Sequence, residues 1–282
     1  MVKQQGAVAM SPIGERGGTA GSNAGNTAGT SADEVSAPSI GLFLTEPVRG
    51  LARFAAMPLA GSLLSSAARG DGHDVLVLPG LLASDVSTAV LRRFLRRLGY
   101  AAAGWDLGRN RGPTDQVVDE LPGVLSKLAK HTGQPVSLIG WSLGGIYARE
   151  LARRNPAQVR QVITLGSPFA LTDPRQSHAD GAYQRRAHLH AAGRLPTPEE
   201  MAKPITVPST AVYSRRDGIV SWRACIAPET SLHENVEVRC GHLGFGTDPA
   251  TLWLIADRLA APVAQRQRFR PPPSLRLLYP GR

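Results

Sequence analysis

Short apolar runs with no polar break recur along this chain, each closed by a turn and followed by a helical pattern. Val75 to Leu78 is one such run, ended by Pro79-Gly80, and Val136 to Ile139 is another, ended by Gly140. A strand without alternation has to be buried on both faces, which points to a parallel sheet covered on both sides. The segments "YAAAGWDLG", "VRQVITLGSP", "STAVYSRRDG" and "NVEVRCGH" read as further strands. Between them, Val90, Leu91, Phe94, Leu95 and Leu98 fall on one helix face, with Ser84 and Asp85 as candidate N-caps. Val117, Leu121, Val124, Leu125 and Leu128 trace a second helix that Pro122 should kink or restart. Ile146 to Ala152 begins a third helix, and Pro249 to Ala261 a closing one. Alternation at this spacing predicts an α/β fold, a mostly parallel, doubly wound sheet flanked by helices. The 282 residues suffice for one such domain.

The ends of the chain read differently. Residues 1–38 are rich in Gly, Ala, Ser, Thr and Asn, with almost nothing large and apolar, and are expected to be disordered. Apolar residues return from Ile40 to Ala68, as one or two helices broken near Pro47 and Pro58, so the folded domain is expected over 39–264. Residues 265–282 form a Pro- and Arg-rich tail with five arginines and no acid, which holds half of the net charge of +10. No packed-core pattern is visible there, and the tail is expected to be dispensable, with at most a weak attraction to anionic surfaces. Arg92, Arg93, Arg96 and Arg97 lie on the polar face of the first amphipathic helix, as a solvated face would. The domain has no recognisable nucleic-acid motif and no aromatic–basic interleaving, so no specific nucleic-acid partner is expected. Two cysteines, Cys225 and Cys240, provide no disulfide framework, and their pairing is left open. With no apolar leader and no membrane-length run, a cytoplasmic setting is the default expectation.

One turn carries chemistry. Gly140-Trp141-Ser142-Leu143-Gly144 matches G-x-S-x-G, and it lies between a buried strand and a helix. On a sharp strand-to-helix turn the residues two away from the serine crowd each other, and glycine relieves that crowding. The hydroxyl then projects above the carboxyl edge of the sheet, where open α/β folds bind ligands.

With this context the chain resembles the α/β-hydrolase superfamily, and within it bacterial esterase- and lipase-like members. The resemblance runs through "VLVLPGLLASD", "GWDLGRNRGP", "GWSLGG", "YSRRDGIV" and "CGHLGF", in order, from about Val75 to Leu259. It implies a serine nucleophile at Ser142, an acid at Asp217 after a late strand and a base at His242 after the last strand. The implied oxyanion donors are the backbone amides of Leu81 and Leu143. Many lipases carry His-Gly where this chain has Pro79-Gly80, so a differently shaped oxyanion loop is expected. The implied activity is hydrolysis of carboxylic esters through an acyl-enzyme, with thioesters and lipids within reach, on a small-molecule substrate and without a cofactor.

Rival readings come from the same residues. Asp173 follows the preceding strand and competes with Asp217, whereas Asp106 comes too early. His233 and His242 both follow Asp217, but His233 precedes the last strand. His178, His188 and His190 share no spacing with acidic or cysteine partners, so they read as surface residues rather than metal ligands. Residues 170–208 are too many for a plain connection and should contain a lid over the serine. Its few large apolar residues suit short or medium acyl groups, unless Ile40 to Ala68 folds over the same cleft. The same machinery would serve an acyltransferase, and a silent hydrolase-fold binding protein is the non-enzymatic alternative.

Overall fold

The apolar runs become the strands of a single sheet in the computed structural model, which describes residues 36–262 and 267–281. Along the chain come α1 (Ile40–Ala56), α2 (Gly61–Ser65), β1 (Asp74–Leu78), α3 (Ala89–Leu98), β2 (Ala101–Gly104), α4 (Asp115–Thr132) and β3 (Val136–Trp141). There follow α5 (Leu143–Arg154), β4 (Val159–Leu165), α6 (Asp180–Gln184), α7 (Pro198–Ala202), β5 (Ser209–Tyr213), β6 (His233–Glu237) and α8 (Pro249–Ala260). The strand order is β2-β1-β3-β4-β5-β6, and every pairing is parallel.

Burial explains the missing alternation. Val75 and Val77 of β1 pack with α3 and α8, whereas Leu76 and Leu78 pack with α4 and α5. In β3, Ile139 and Trp141 join the first layer, and Val136 and Leu138 the second. Both faces of β1 and β3 therefore need apolar side chains, each worth about 1.5–3 kcal/mol when fully buried. The chain winds from β1 out to β2 and then returns to β3 on the other side of β1. A switch point of this kind leaves a crevice at the carboxyl ends of the two strands.

Four expectations need correction. Pro47 does not break α1. The helix is held from outside, because Arg49 donates to the Arg216 carbonyl and Glu46 binds loops far along the chain. Only Pro58, in a short 3₁₀ turn before α2, marks a break. Helix α4 likewise runs through Pro122. Asp85 does not cap α3, whose N-cap is Thr88. Its carboxylate instead accepts from the amides of Trp105 and Asp106 at 3.1 and 3.0 Å, fixing the loop after β2.

The C-terminal segment is the largest departure. Phe269 and Tyr279 are both 1% exposed and belong to the core layer of α3 and α8. Phe269 stacks edge-on with Trp253 and Tyr279, and the Tyr279 hydroxyl donates to the Ala250 carbonyl at 2.8 Å. Two aromatics ten residues apart produce no helical or strand period, so the packing left no pattern to read. The expected disorder of 1–38 falls almost wholly outside the described residues. Among the described residues no helix is long and apolar enough to cross a membrane.

Candidate active site

Ser142 sits between the end of β3 and the start of α5, with φ +53° and ψ −122°. A non-glycine residue in this region costs on the order of 1–3 kcal/mol, so the surroundings must impose it. They do so by close packing. A Cβ on Gly140 would collide with the Gly144 carbonyl oxygen and the Gly145 backbone, and one on Gly144 would lie 2.7 Å from the Pro79 carbonyl oxygen. Helix α5 can therefore abut the ends of β1 and β3 only if both positions are glycine. The Ser142 amide donates to the Leu165 carbonyl at 2.8 Å, which fixes the turn to the end of β4.

His242 and Asp217 meet at this same edge. His242 Nδ1 lies 2.6 Å from Asp217 Oδ2, and both side chains are buried. The other carboxylate oxygen accepts from the amides of Ile219 and Val220, each at 2.8 Å, so the acid cannot rotate freely. Gly166, the residue after Leu165, packs directly on the pair. A Cβ there would stand 3.0 Å from Asp217 Oδ2 and 3.1 Å from His242 Nδ1. The dipeptide at the end of β4 thus touches the serine turn with one residue and the acid–base pair with the next. Trp141, adjacent to the serine, donates its indole N–H to the His242 carbonyl at 3.1 Å.

Burial lowers the pKa of His242, but the charge and hydrogen bond of Asp217 and the charge of Glu46 outweigh it, and the net shift is upward. Glu46 is a residue of this site that sequence reasoning missed. It lies on α1, 1% exposed, and accepts from the amides of Gly218 (2.7 Å), His242 (2.8 Å) and Leu243 (3.0 Å). Arg49 partners it at 2.9 Å. One carboxylate therefore ties together the loop that follows Asp217 and the loop that carries His242. No local sequence signal marks such a residue, because the amides it binds are 172 to 197 positions away.

Leu81 and Leu143 line one cavity of about 390 Å³ together with Ser142. As the first residue of α5, Leu143 has an amide with no intrahelical acceptor. The turn from Pro79 to Ala83 is held by Asn110, which is fully buried. Its side-chain amide donates to the Pro79 carbonyl at 2.9 Å, its backbone N–H to Ala83 at 2.8 Å, and its carbonyl accepts from Leu82 at 2.7 Å. The cavity wall is mostly apolar and comes from α4 and α5 as well as the 170–208 segment, through Leu121, Ile146, Tyr183, Leu195 and Met201. The Ile40–Ala68 region contributes no lining residue to it.

The rival residues are engaged elsewhere. Asp173 caps a 3₁₀ turn and pairs with Arg175. His233, the first residue of β6, bonds Ser209 at 2.8 Å. His178 bonds the Pro38 carbonyl, and His190 lies against Tyr183. No group of three or more metal-ligating side chains occurs among the described residues. Cys225 and Cys240 are both free, and burial holds each as a thiol well above the ordinary cysteine range. A second Ser–His–Asp arrangement also exists: His73 Nε2 is 2.9 Å from Ser137 Oγ, and its Nδ1 bonds Asp71. Ser137 is 0% exposed near the amino end of β3, the wrong edge of the sheet for a ligand.

No family model matches this chain, and no curated protein sequence matches it. Solved structures do. One from work on two metagenome-derived lipolytic enzymes, LipS and LipT, aligns with a TM-score of 0.50 at 14% identity, covering 68% of this chain and 93% of that one. Lipase B of Aspergillus fumigatus aligns with a TM-score of 0.49 at 16% identity, over 70% of this chain and 55% of that one. This chain thus spans little more than half of that lipase. A monoacylglycerol lipase of Paleococcus ferrophilus gives 0.47 at 16% identity, over 67% and 95% of the two chains. The chain has the α/β-hydrolase fold.

Proposed function

We propose that the protein is a serine hydrolase that cleaves carboxylic esters, thioesters included, through an acyl-enzyme. The observation that carries this reading is the buried His242–Asp217 pair packed on Gly166 at the same strand end that fixes the strained Ser142 turn.

In this reading His242 is neutral, keeps its proton on Nδ1 and hydrogen-bonds it to Asp217, which leaves Nε2 with a lone pair. Nε2 takes the proton of Ser142 as the Oγ attacks the acyl carbon. The Leu81 and Leu143 amides stabilise the oxyanion that forms. As the tetrahedral species collapses, the bond to the leaving alcohol or thiol breaks and His242 returns the proton to it. Water repeats the sequence on the acyl-enzyme, releasing the carboxylic acid and restoring Ser142. Asp217 stays ionised throughout, orienting the imidazole and stabilising its cation. The 170–208 segment serves as the lid, with Tyr183, Leu195 and Met201 as its apolar lining.

Hydrolysis of p-nitrophenyl butyrate tests the assignment. Ser142→Ala should leave no activity above background, and Asp217→Asn should lower kcat about 10⁴-fold by favouring the wrong histidine tautomer. Because the His242 pKa is raised, kcat/KM should climb with pH through a midpoint above 6.5, the ordinary histidine value. An Asp217→Asn protein with near-normal kcat would reject the acid role.

A further inference from the structure

We propose that a second cavity, ringed by Arg109, Arg111, Arg185, Arg186 and His188, is a subsite for a phosphate monoester carried by the substrate. The proposal deepens the serine-hydrolase reading and rests on it. The cavity measures about 420 Å³, and no carboxylate lines it.

Charge excess alone does not account for the ring. Among the described residues none of its four arginines forms an ion pair, whereas nearby Arg194 pairs with Asp115 and Asp119, and Arg153 with Glu150. The arginines of α3 offer a contrast. They lie along one helix face, and Arg92 and Arg96 are tied to the carbonyls of Asp85 and Ala102, as Arg186 of the ring is to that of Ala182 at 2.8 Å. The ring is instead assembled from two segments distant in sequence. Arg109 and Arg111 come from the loop before α4, and the other three from the 170–208 segment. A β-bridge between Thr114 and His190, with the Ala191 amide donating to Pro113 at 2.9 Å, holds these segments together. The fold therefore gathers like charges and supplies no counter-charge of its own.

Chemistry narrows the ligand. A guanidinium presents a planar fork that matches two oxygens of a phosphate or carboxylate. A monocarboxylate is satisfied by one fork, while a phosphate dianion, with three terminal oxygens, can engage several. Chain neighbours line the ring and the serine cleft at two places. Leu82 lines the cationic cavity, and its neighbour Leu81 lines the cleft. Tyr183 and Gln184 line the cleft, and Arg185 and Arg186 the ring. Asn110, which holds the Pro79–Ala83 turn, stands between Arg109 and Arg111. On this proposal a substrate with its ester at Ser142 places its phosphate among the arginines.

The test pairs monobutyrin with butyryl glycerol 3-phosphate, which share acyl group and scissile bond. Wild-type kcat/KM should favour the phosphate ester by about tenfold or more, the scale of one charged hydrogen bond. Arg111→Ala and Arg185→Ala, each at an exposed position, should collapse that ratio toward one. Calorimetry with glycerol 3-phosphate against glycerol reads the subsite without catalysis. Binding of the phosphate alone, weakened in both variants and by salt, is the expected result. Equal kcat/KM for the two esters, or no binding of glycerol 3-phosphate, overturns the subsite. Failure to hydrolyse either ester would reject the hydrolase reading while calorimetry still decides the subsite. A dodecanoyl analogue separates the sources: preference confined to concentrations above its micelle threshold assigns the phosphate to a lipid, and equal preference for the butyryl ester assigns it to a soluble phosphate ester.

Discussion

Replacing Glu46 by glutamine tests whether α1 organises the acid and base loops. The substitution keeps the shape and one acceptor oxygen, but puts an NH₂ group where the other oxygen stood. In the least costly arrangement the retained oxygen still accepts from Gly218 and His242, while the NH₂ faces the Leu243 amide, donor against donor. Losing that buried bond costs about 1–3 kcal/mol. The two surviving bonds lose their charge assistance, roughly half their strength. A total near 3 kcal/mol follows, and at about 2–4 °C per kcal/mol for a domain of this size Tm should fall about 6–12 °C. The catalytic effect has its own sign. Glu46 contributes to the raised His242 pKa, so removing its charge lowers that pKa. Histidine must be neutral to act as a base, and the acid limb of kcat/KM should therefore move to lower pH. At pH 6 the variant should retain a larger fraction of its own plateau than wild type does. Thermal unfolding by circular dichroism and a pH series with p-nitrophenyl butyrate read the two effects. A Tm within about 2 °C of wild type would refute the energetic argument. A limb that stays in place despite lost stability would make Glu46 structural only.

Other consequences follow from the same contacts. Phe269→Ala should destabilise the domain by about 3–5 kcal/mol in denaturant titration, whereas Leu277→Ala, at 86% exposed, should stay within about 0.5 kcal/mol. Equal small effects would return this segment to the status of a loose tail. In a chain-length series of p-nitrophenyl esters, kcat/KM should peak for short or medium acyl groups. Activity still climbing past about twelve carbons would show that burial, about 0.8 kcal/mol per methylene, continues beyond the cavity that Ser142 lines.

Much of the fold was legible because the central strands β1 and β3 are buried on both faces, and that condition writes itself into Val75–Leu78 and Val136–Ile139 as unbroken apolar runs. The serine turn was legible because its two glycines answer a steric demand that hardly any other residue meets. Asp217 and His242 could be placed from chain order and resemblance, and the structure brings them to 2.6 Å. What stayed hidden depends on distant partners. Glu46 reads as an ordinary polar residue on a helix with exposed apolar positions until the loops beyond Gly218 and Gly241 fold onto it. Pro47 and Pro122 follow the local rule for ending helices, and tertiary contacts override it in α1. Phe269 and Tyr279 enter the core singly, from a stretch without period. Asp85 has the chemistry of a cap, and the neighbouring loop makes better use of it.

The central claim is that Ser142 is the nucleophile, and active-site titration addresses it most directly. The intact protein is treated with a fluorophosphonate, digested, and mapped by mass spectrometry, with Ser142→Ala and a heat-unfolded sample alongside. One phosphonyl group per chain is expected, on the peptide bearing Ser142, with none on the variant or the unfolded sample. Its rate should rise with pH through the same limb as ester hydrolysis, because His242 must be neutral in both reactions. Label on another residue, or an unlabelled Ser142 in a folded protein that still hydrolyses esters, would contradict it.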